Sequence, residues 1–410
     1  MASISPFRAL RPQPDFARQL ASRPYDVLNT AEAKAEASGN PYSFLHITKS
    51  EIDFPEGVDI HSAEIYQKAK ENLRAFVQRN ILFREDKPCY YLYRLVMNGR
   101  EQTGIVAGSS VEDYEKDVIK KHEFTRPEKE QDRINHIAIT GAQTGNVFLA
   151  YRNVEEIDRL VEDWKSKHNP VYDFTLEDGV RHSVWIINKD ETIAEITRLF
   201  LEKVPQTYIA DGHHRAASAA KVRAQLEKRT PEADFFLTTL FPESELQILD
   251  YNRVVTDLNG WQPHELLEKI SEKFEVSESD QFKPSAPHEF GMYLQGNWYK
   301  LTSKPGTFTE DPIGVLDVTI LSENLLKPIL GIADQRTDKR IDFVGGIRGI
   351  GELEKKVNSG EYAVAFSIYP VSMKQLFDIA DSGQVMPPKS TWFEPKLRDG
   401  LLTHLITPEL

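Results

Sequence analysis

The five residues Asp211-Gly212-His213-His214-Arg215 carry a carboxylate, two imidazoles and a guanidinium around one glycine. Asp-Gly is a turn pair, and the stretch Ala216-Ala-Ser-Ala-Ala-Lys-Val-Arg223 after it is rich in helix formers. The pattern predicts a strand over Thr207–Ala210, a sharp turn at Asp211-Gly212, and a helix starting near His213. Such a turn aims unsatisfied backbone N–H groups and the positive end of a helix dipole at one point, where an anion, phosphate above all, is favoured. Asp211, His213 and His214 are then the candidates for proton transfer and charge stabilisation, and Gly212 and Arg215 for phosphate binding. The plainer alternative is a helix capped by Asp211 with solvated or packed histidines. Three ionisable side chains stacked on a first turn favour the site.

Two other segments could supply the same chemistry. Lys120–Arg133 is dense in charge: Lys121-His122-Glu123 is placed at the end of one helix, and Arg126-Pro127 at the start of the next. Glu123 with His122 could act as general base, and Arg126 and Arg133 could clamp phosphate in the bidentate manner. The alternative is a solvated, salt-bridged segment. In Pro387-Pro-Lys-Ser-Thr-Trp-Phe393 a proline-stiffened loop presents Lys389, Ser390 and Thr391 as phosphate contacts or a lid, or else seats Trp392 and Phe393 in a core. Lys-Ser-Thr echoes the end of a P-loop, but the preceding glycines are missing. Gly345–Gly351 reads better as a plain turn than as a dinucleotide site. Arg8, Arg11 and Arg23-Pro-Tyr-Asp26 could line a site from one side. No metal ligands are assigned. Adjacent helical histidines point about 100° apart and match no zinc spacing, so Mg²⁺ brought in by a nucleotide is the more natural ion.

Periodicity supplies the elements that must hold these groups. Helical spacing marks His61–Asn80, Val111–Lys121, Glu128–Ile139, Val154–Lys167 and Glu191–Lys203. Hairpins are expected around Asn98-Gly99, Asp178-Gly179 and Gln295-Gly-Asn297, and buried strands over Val147–Tyr151 and Phe235–Phe241. Further on, Glu265–Phe274, Ile313–Leu330, Glu352–Asn358 and Ser372–Ser382 read as helical, and Ala363–Ile368 as an apolar strand. These elements describe an α+β protein with mixed sheets. The soft boundary is placed near 255–262, drawn at 258/259, and a C-terminal tail folding back onto the first region is an equal alternative. That boundary gives an N-terminal α+β region over residues 1–258 and a C-terminal α+β region over 259–410 that ends in the Pro-Pro-Lys-Ser-Thr loop.

The chain has 410 residues and a net charge of −13, from 63 acidic and 50 basic side chains. That surface repels a polyphosphate backbone, so no nucleic-acid partner is expected. The single cysteine, Cys89, excludes an internal disulfide and any cysteine-rich zinc site. Cys89 itself reads as a buried small hydrophobe. No run approaches 18 apolar residues and the N-terminus shows no signal peptide, so a cytoplasmic protein without a membrane partner is expected.

A family resemblance adds to this. Pro6-Phe-Arg-Ala-Leu-Arg-Pro12, Arg23-Pro-Tyr-Asp-Val27, Asn40-Pro-Tyr-Ser-Phe-Leu-His46, Lys121-His-Glu-Phe-Thr-Arg-Pro127, the Asp211 motif and Pro387–Phe393 identify the chain as a member of the family called domain of unknown function 1015. Asp-Gly-x-His-Arg at a strand-to-helix turn also resembles the phosphate-binding element of the ParB/sulfiredoxin-like fold, including its free-serine kinase branch. Sulfiredoxin chemistry needs a cysteine in that motif, where this chain has histidine. The resemblance implies a ParB-like mixed core over about 145–255. It also implies a small-molecule phosphotransferase using ATP or ADP with Mg²⁺ on free serine or a similar hydroxylated metabolite, or the reverse dephosphorylation. A non-catalytic nucleotide- or phosphate-sensing protein is the alternative, and a metal-dependent hydrolase on Asp211, His213 and His214 a lesser one. The partner would be a small-molecule substrate, with a homodimer left open.

Overall fold

The computed structural model describes residues 1–407. The chain divides into two compact units, Met1–Leu246 with Pro395–Leu410, and Gln247–Glu394. The division thus falls before the expected 258/259, and the last stretch returns to the first unit. The hydrogen bonds explain that return: His404–Leu405 pairs antiparallel with Ala142–Gln143, and Leu10 and Thr403 exchange backbone bonds.

The first unit is built on a nine-stranded mixed sheet. In chain order its strands are β1 (Ile4–Ser5), β2 (Tyr90–Met97), β3 (Arg100–Ser110), β4 (Ile119–Lys120), β5 (Val147–Tyr151), β6 (Tyr172–Thr175), β7 (Arg181–Ile187), β8 (Thr207–Asp211) and β9 (Phe235–Pro242). They run in the spatial order β4-β8-β5-β9-β3-β2-β7-β6, with β1 alongside β3. The β8–β4 and β9–β5 pairs are parallel and the other pairs antiparallel. The β2–β3 hairpin turns at Asn98 and Gly99, whose φ of 52° and 78° give the I′ geometry that matches strand twist. Both faces of the central strands are buried, and β5 is buried at all five positions. This is why β5 reads as a continuous apolar run rather than an alternating one.

Seven helices matter here: α1 (Thr30–Ala37), α2 (Ala63–Gln78), α3 (Val111–Glu115), α4 (Pro127–Thr140), α5 (Glu155–Lys167), α6 (Asp190–Lys203) and α7 (His213–Gln225). The core joins Leu92, Ile105, Leu149 and Phe236 of the sheet to Ile157 and Trp164 of α5, Ile196 and Phe200 of α6, and Ala216 and Ala219 of α7. One expectation is corrected. The helix predicted over Val111–Lys121 stops at Glu115, because Asp117 adopts a left-handed φ of 59° and Ile119–Lys120 then joins the sheet beside β8. That strand carries the next residues, His122 and Glu123, toward the end of β8.

The second unit holds a six-stranded antiparallel sheet: β10 (Tyr251–Val255), β11 (Phe274–Ser279), β12 (Glu289–Leu294), β13 (Asn297–Ser303), β14 (Ile341–Gly345) and β15 (Val364–Ile368). Its spatial order is β11-β13-β12-β15-β10-β14. Helices α8 (Pro263–Ser271), α9 (Asp317–Leu321), α10 (Gly351–Asn358) and α11 (Met373–Asp381) complete it. The helix expected over Ile313–Leu330 is confined to Asp317–Leu321, followed by a π-helical turn over Ser322–Leu326. A mixed sheet in the first unit, an antiparallel sheet in the second and interspersed helices make the protein α+β. Among the described residues no helix is long and apolar enough to cross a membrane.

Candidate active site

Strand β8 delivers the site. Its register against β5 slips between Ile209 and Asp211, a bulge of the kind that re-aims side chains beside functional sites. Gly212 then turns the chain at a left-handed φ of 96°. A side chain at Gly212 would be strained by that φ and would crowd the Arg215 guanidinium, whose Nε lies 3.0 Å from where a Cβ would stand. Helix α7 begins at His213. Its N-cap is Gly212, with no side-chain cap, so Asp211 is not spent as the cap of the plainer alternative.

Asp211 instead receives two cations: Lys396 Nζ at 3.0 Å on one oxygen, and Arg215 at 3.6 Å on the other. Burial alone would raise its pKa. The Lys396 ammonium and the Arg215 guanidinium outweigh burial and hold the carboxyl well below the usual carboxylate range. Arg215 also lies 3.6 Å from Asp26, donates to the Asn146 carbonyl, and has an Nε–H that is buried with no acceptor. Burial opposes its charge, but Asp26 and Asp211 hold its pKa above the ordinary value. A third carboxyl, Asp399, faces it. A Cβ on Gly145 would sit 3.3 Å from Arg215 Cδ and 3.4 Å from Asp399 Oδ1, so the glycine lets the two side chains approach. Asp399 is 1% exposed, one oxygen has no partner, and burial pushes its carboxyl up to about 8 against the pull of Arg215.

The histidines are held by the Lys121–Arg126 corner. His213 Nε2 accepts from the His122 N–H at 3.5 Å, and its Nδ1 lies 3.9 Å from Glu123 Oε2. The His122 and His213 rings meet edge to face at 4.6 Å. His214 Nε2 accepts from the Arg126 N–H at 2.9 Å. These acceptor roles place the ring proton of each neutral imidazole on Nδ1. Burial drives His122 down to about 4 and His213 well below the ordinary value, so both are neutral at pH 7. The stable positive charge at the site therefore resides in Arg215 and Lys396.

A family model described as "Protein of unknown function (DUF1015)" matches residues 4–319. The chain belongs to this family. The match includes the Asp211 turn and the Lys121–Arg133 segment; Lys396 and Asp399 lie beyond it. No curated protein matches this DUF1015 chain significantly. Solved structures with weak similarity include a free serine kinase in complex with AMP, 13% identical over 73% of this chain and 92% of that chain at a TM-score of 0.36. A conserved hypothetical protein from Pyrococcus furiosus is 14% identical over 73% and 94% at 0.35. A C-terminally truncated SbnI from Staphylococcus aureus is 11% identical over 72% and 85% at 0.36. These likenesses are too weak to carry a fold or an activity across.

The DUF1015 chain distributes its sequence-predicted residues unevenly. Asp211, Gly212, His213, His214, Arg215 and Glu123 come together, with the backbone of Arg126 among them. Arg133 is committed elsewhere: its guanidinium grips Asp132 at 2.7 Å and lies 3.8 Å over the Tyr25 ring. It meets Arg215 as part of the lining of a cavity of about 20 Å³, which Asp211, His213 and His214 do not line. Lys389, Ser390 and Thr391 belong to the second unit. There the Ser390 hydroxyl donates to the Pro387 carbonyl, the Lys389 carbonyl accepts from Arg253, and the Lys389 ammonium stands 5.7 Å over the Tyr251 ring. Sequence reasoning named Asp26 only as part of a possible wall, and missed Lys396 and Asp399 altogether. Neither has a local signal, and only their place in the C-terminal return brings them to the turn.

Among the described residues no three His, Cys, Asp or Glu side chains form a metal-binding group. His213 and His214 direct Nε2 to different backbone N–H groups, and Asp211 is already paired with two cations. The residues present do not make a metal cage of their own.

Proposed function

We propose that this DUF1015 protein is a small-molecule phosphotransferase moving a phosphoryl group between a nucleotide and a hydroxyl. The observation that carries the reading is the buried Arg215, folded back over Gly212 at the uncapped start of α7 with an unpartnered Nε–H, beside Lys396 on Asp211. Free helix N–H groups, a guanidinium and an ammonium together match a phosphate group in charge and donor geometry. Asp211 and Asp26 hold the two cations in place without a ligand and can yield them to an entering anion.

In this reading Arg215, Lys396 and the first N–H groups of α7 neutralise the charge that develops on the transferred group. Glu123, half exposed and within reach of His213, takes the acceptor's proton. The acceptor oxygen forms its bond to phosphorus as the bridging oxygen of the donor leaves. Phe124, next to Glu123 and 71% exposed, offers a face on which a nucleotide base can stack. Any divalent ion would come with the donor's phosphates and not from a protein cage.

The test is phosphoryl transfer from radiolabelled ATP or ADP to a panel of hydroxy acids, hydroxy amino acids and polyols, with nucleotide binding measured in parallel. Glu123→Gln is expected to keep nucleotide affinity within about twofold while turnover falls by about 10²-fold or more. Phe124→Ala should weaken ADP binding and leave inorganic phosphate binding unchanged. Binding without transfer across the panel would replace catalysis with a sensing role.

A further inference from the structure

A cavity of about 960 Å³ in the first unit is not used by the chemistry above. The turn Ala17–Leu20, the segment Ala21–Arg23 and helix α1 line one side, and the loop after β6 lines the other. Most of its polar groups are already satisfied. The Ser22 hydroxyl donates to the Leu20 carbonyl and contacts Ser43 at 3.1 Å, Asn40 bonds the Gln19 carbonyl and the Tyr42 N–H, and Arg23 pairs with Glu36 at 2.5 Å. Arg398 differs. It is 6% exposed, its guanidinium pairs with Asp178, and its Nε–H is buried without an acceptor. A buried guanidinium donor left unmet beside an open cavity costs stability unless something enters to accept from it.

The charges around that cavity limit what can enter. Three guanidiniums, Arg18, Arg23 and Arg398, stand with four carboxylates, Glu32, Glu36, Glu177 and Asp178. A nucleotide polyphosphate would be repelled by that excess of acid. A single carboxylate on a small molecule that also bears a hydroxyl or an ammonium group matches both signs, and the planar guanidinium edge suits a carboxylate.

The cavity is also tied to the Arg215 site through the chain itself. Ser22 and Asp399 exchange both backbone hydrogen bonds, at 3.1 and 2.9 Å. Consecutive residues in extended backbone face opposite ways. Arg398 lines the cavity, while Asp399, the next residue, stands beside Arg215.

We propose that this cavity binds the carboxylate group of a small organic acid through Arg398. The carboxylate site does not depend on the phosphotransferase reading, because no residue of the Arg215 site lines this cavity. Arg398 is then the residue that selects a carboxylate over its neutral amide.

The experiment measures equilibrium binding of glycerate, L-lactate and L-serine against glyceramide, L-lactamide and L-serinamide to the full chain, with ADP binding alongside. At least one acid is expected to bind about tenfold or more tightly than its amide, since a charge-assisted pair is the stronger one. Arg398→Gln should abolish that preference while ADP affinity stays unchanged. Ala35→Trp, which places a bulky ring on the exposed cavity face of α1, should abolish binding of acid and amide alike without lowering Tm, and it decides the matter if the Arg398 variant does not fold. Equal binding of acids and amides, no binding of either, or undiminished binding in Ala35→Trp would overturn the proposal. Acid binding without any ADP binding would leave the carboxylate site standing and remove the phosphotransferase reading.

Discussion

Two buried arginines, one in each unit, show how the same side chain can serve different ends. Arg215 sits among three carboxyls, Asp26, Asp211 and Asp399, and its charge is reinforced. Arg253 on β10 is fully buried with no carboxylate among the described residues in ion-pair range. It donates to the carbonyls of Tyr251 and Lys389 and reaches Gln335 at 3.4 Å, with the Phe343 ring 5.1 Å away. Burial lowers its pKa to about 10, although it still keeps its proton at neutral pH. Carbonyl oxygens fix a guanidinium in place but do not neutralise it, and they are themselves fixed by it. Arg253 therefore clips the Pro387–Lys389 backbone to the sheet of the second unit. Arg215 is held by groups that carry the same charge as a phosphate, and in the proposed reading a phosphate replaces them. The proposed anion site rests on that difference: the partners of Arg215 are themselves anions and its Nε–H is unspent, whereas those of Arg253 are uncharged carbonyls.

The largest expected effect separates the two units by pH. His122 and His136 are lowered to about 4 and His182 to about 3, chiefly by burial, and all three lie in the first unit. As pH falls below about 6.5 the unfolded chain takes up protons that the folded unit refuses, so stability is lost between about 6.5 and 4. Each group contributes up to about 1.4 kcal/mol per pH unit; Asp399 in the same unit, raised to about 8, acts with the opposite sign and offsets about one of the three, which leaves a net loss of a few kcal/mol. In the second unit Asp317 is raised by burial to about 7. Its contribution has the opposite sign: the folded unit holds a proton the unfolded chain has released, so stability falls as pH rises from about 4 to 7. Hydrogen exchange read by mass spectrometry at pH 7 and 4.5 should show the first unit opening on acidification and the second holding. Opening of both to the same extent would break the contrast.

Next in size is Arg253→Ala, expected to cost about 3 kcal/mol or more, because it opens a cavity and strands the carbonyls the guanidinium had satisfied. Chemical denaturation followed by tryptophan emission measures it. A loss under 1 kcal/mol would show that the clip carries no weight. Arg215→Ala should cut phosphoryl transfer by about 10²-fold, or about 2.7 kcal/mol, and abolish the rise in Tm that inorganic phosphate gives the parent protein. The same phosphate titration on Arg253→Lys should leave the rise intact, and loss of the rise there would erase the distinction between the two arginines. The smallest effect is at Lys389, which holds a left-handed φ of 58°. Lys389→Gly relieves that strain at the cost of some chain entropy, so stability should change by less than about 1 kcal/mol. Loss of transfer activity in this variant would return the loop to the catalytic machinery.

Much of the scaffold was legible along the chain. The Asn98-Gly99 hairpin, the helices over Glu155–Lys167 and Asp190–Lys203, and the strand–glycine–helix sequence at Asp211 all follow from local rules: turn residues that tolerate positive φ, a 3.6-residue period, and an apolar run that stops at a glycine. Glu123 and the histidines were legible as chemistry because their residue types and charge density stand out, and their meeting at His213 depended on a strand at Ile119–Lys120 that looked helical. That segment shows the limit of local reading. A left-handed Asp117 and a sheet edge in need of a partner overrode its helical spacing.

The sequence by itself determined the turn, the helix start and the identity of the charged groups, since these depend on backbone preference within a few residues. Only the tertiary structure decided which charges meet. Lys396 and Asp399 reach a turn far earlier in the chain because the last stretch pairs back onto the first unit, the Lys396–Asp211 contact spanning 185 positions. Arg133 and Lys389, as prominent in the sequence as Arg215, found their partners elsewhere for the same reason. Coulomb attraction and hydrogen bonding act across a few ångströms of space, and the spacing of residues along a chain does not encode those distances until the core has packed.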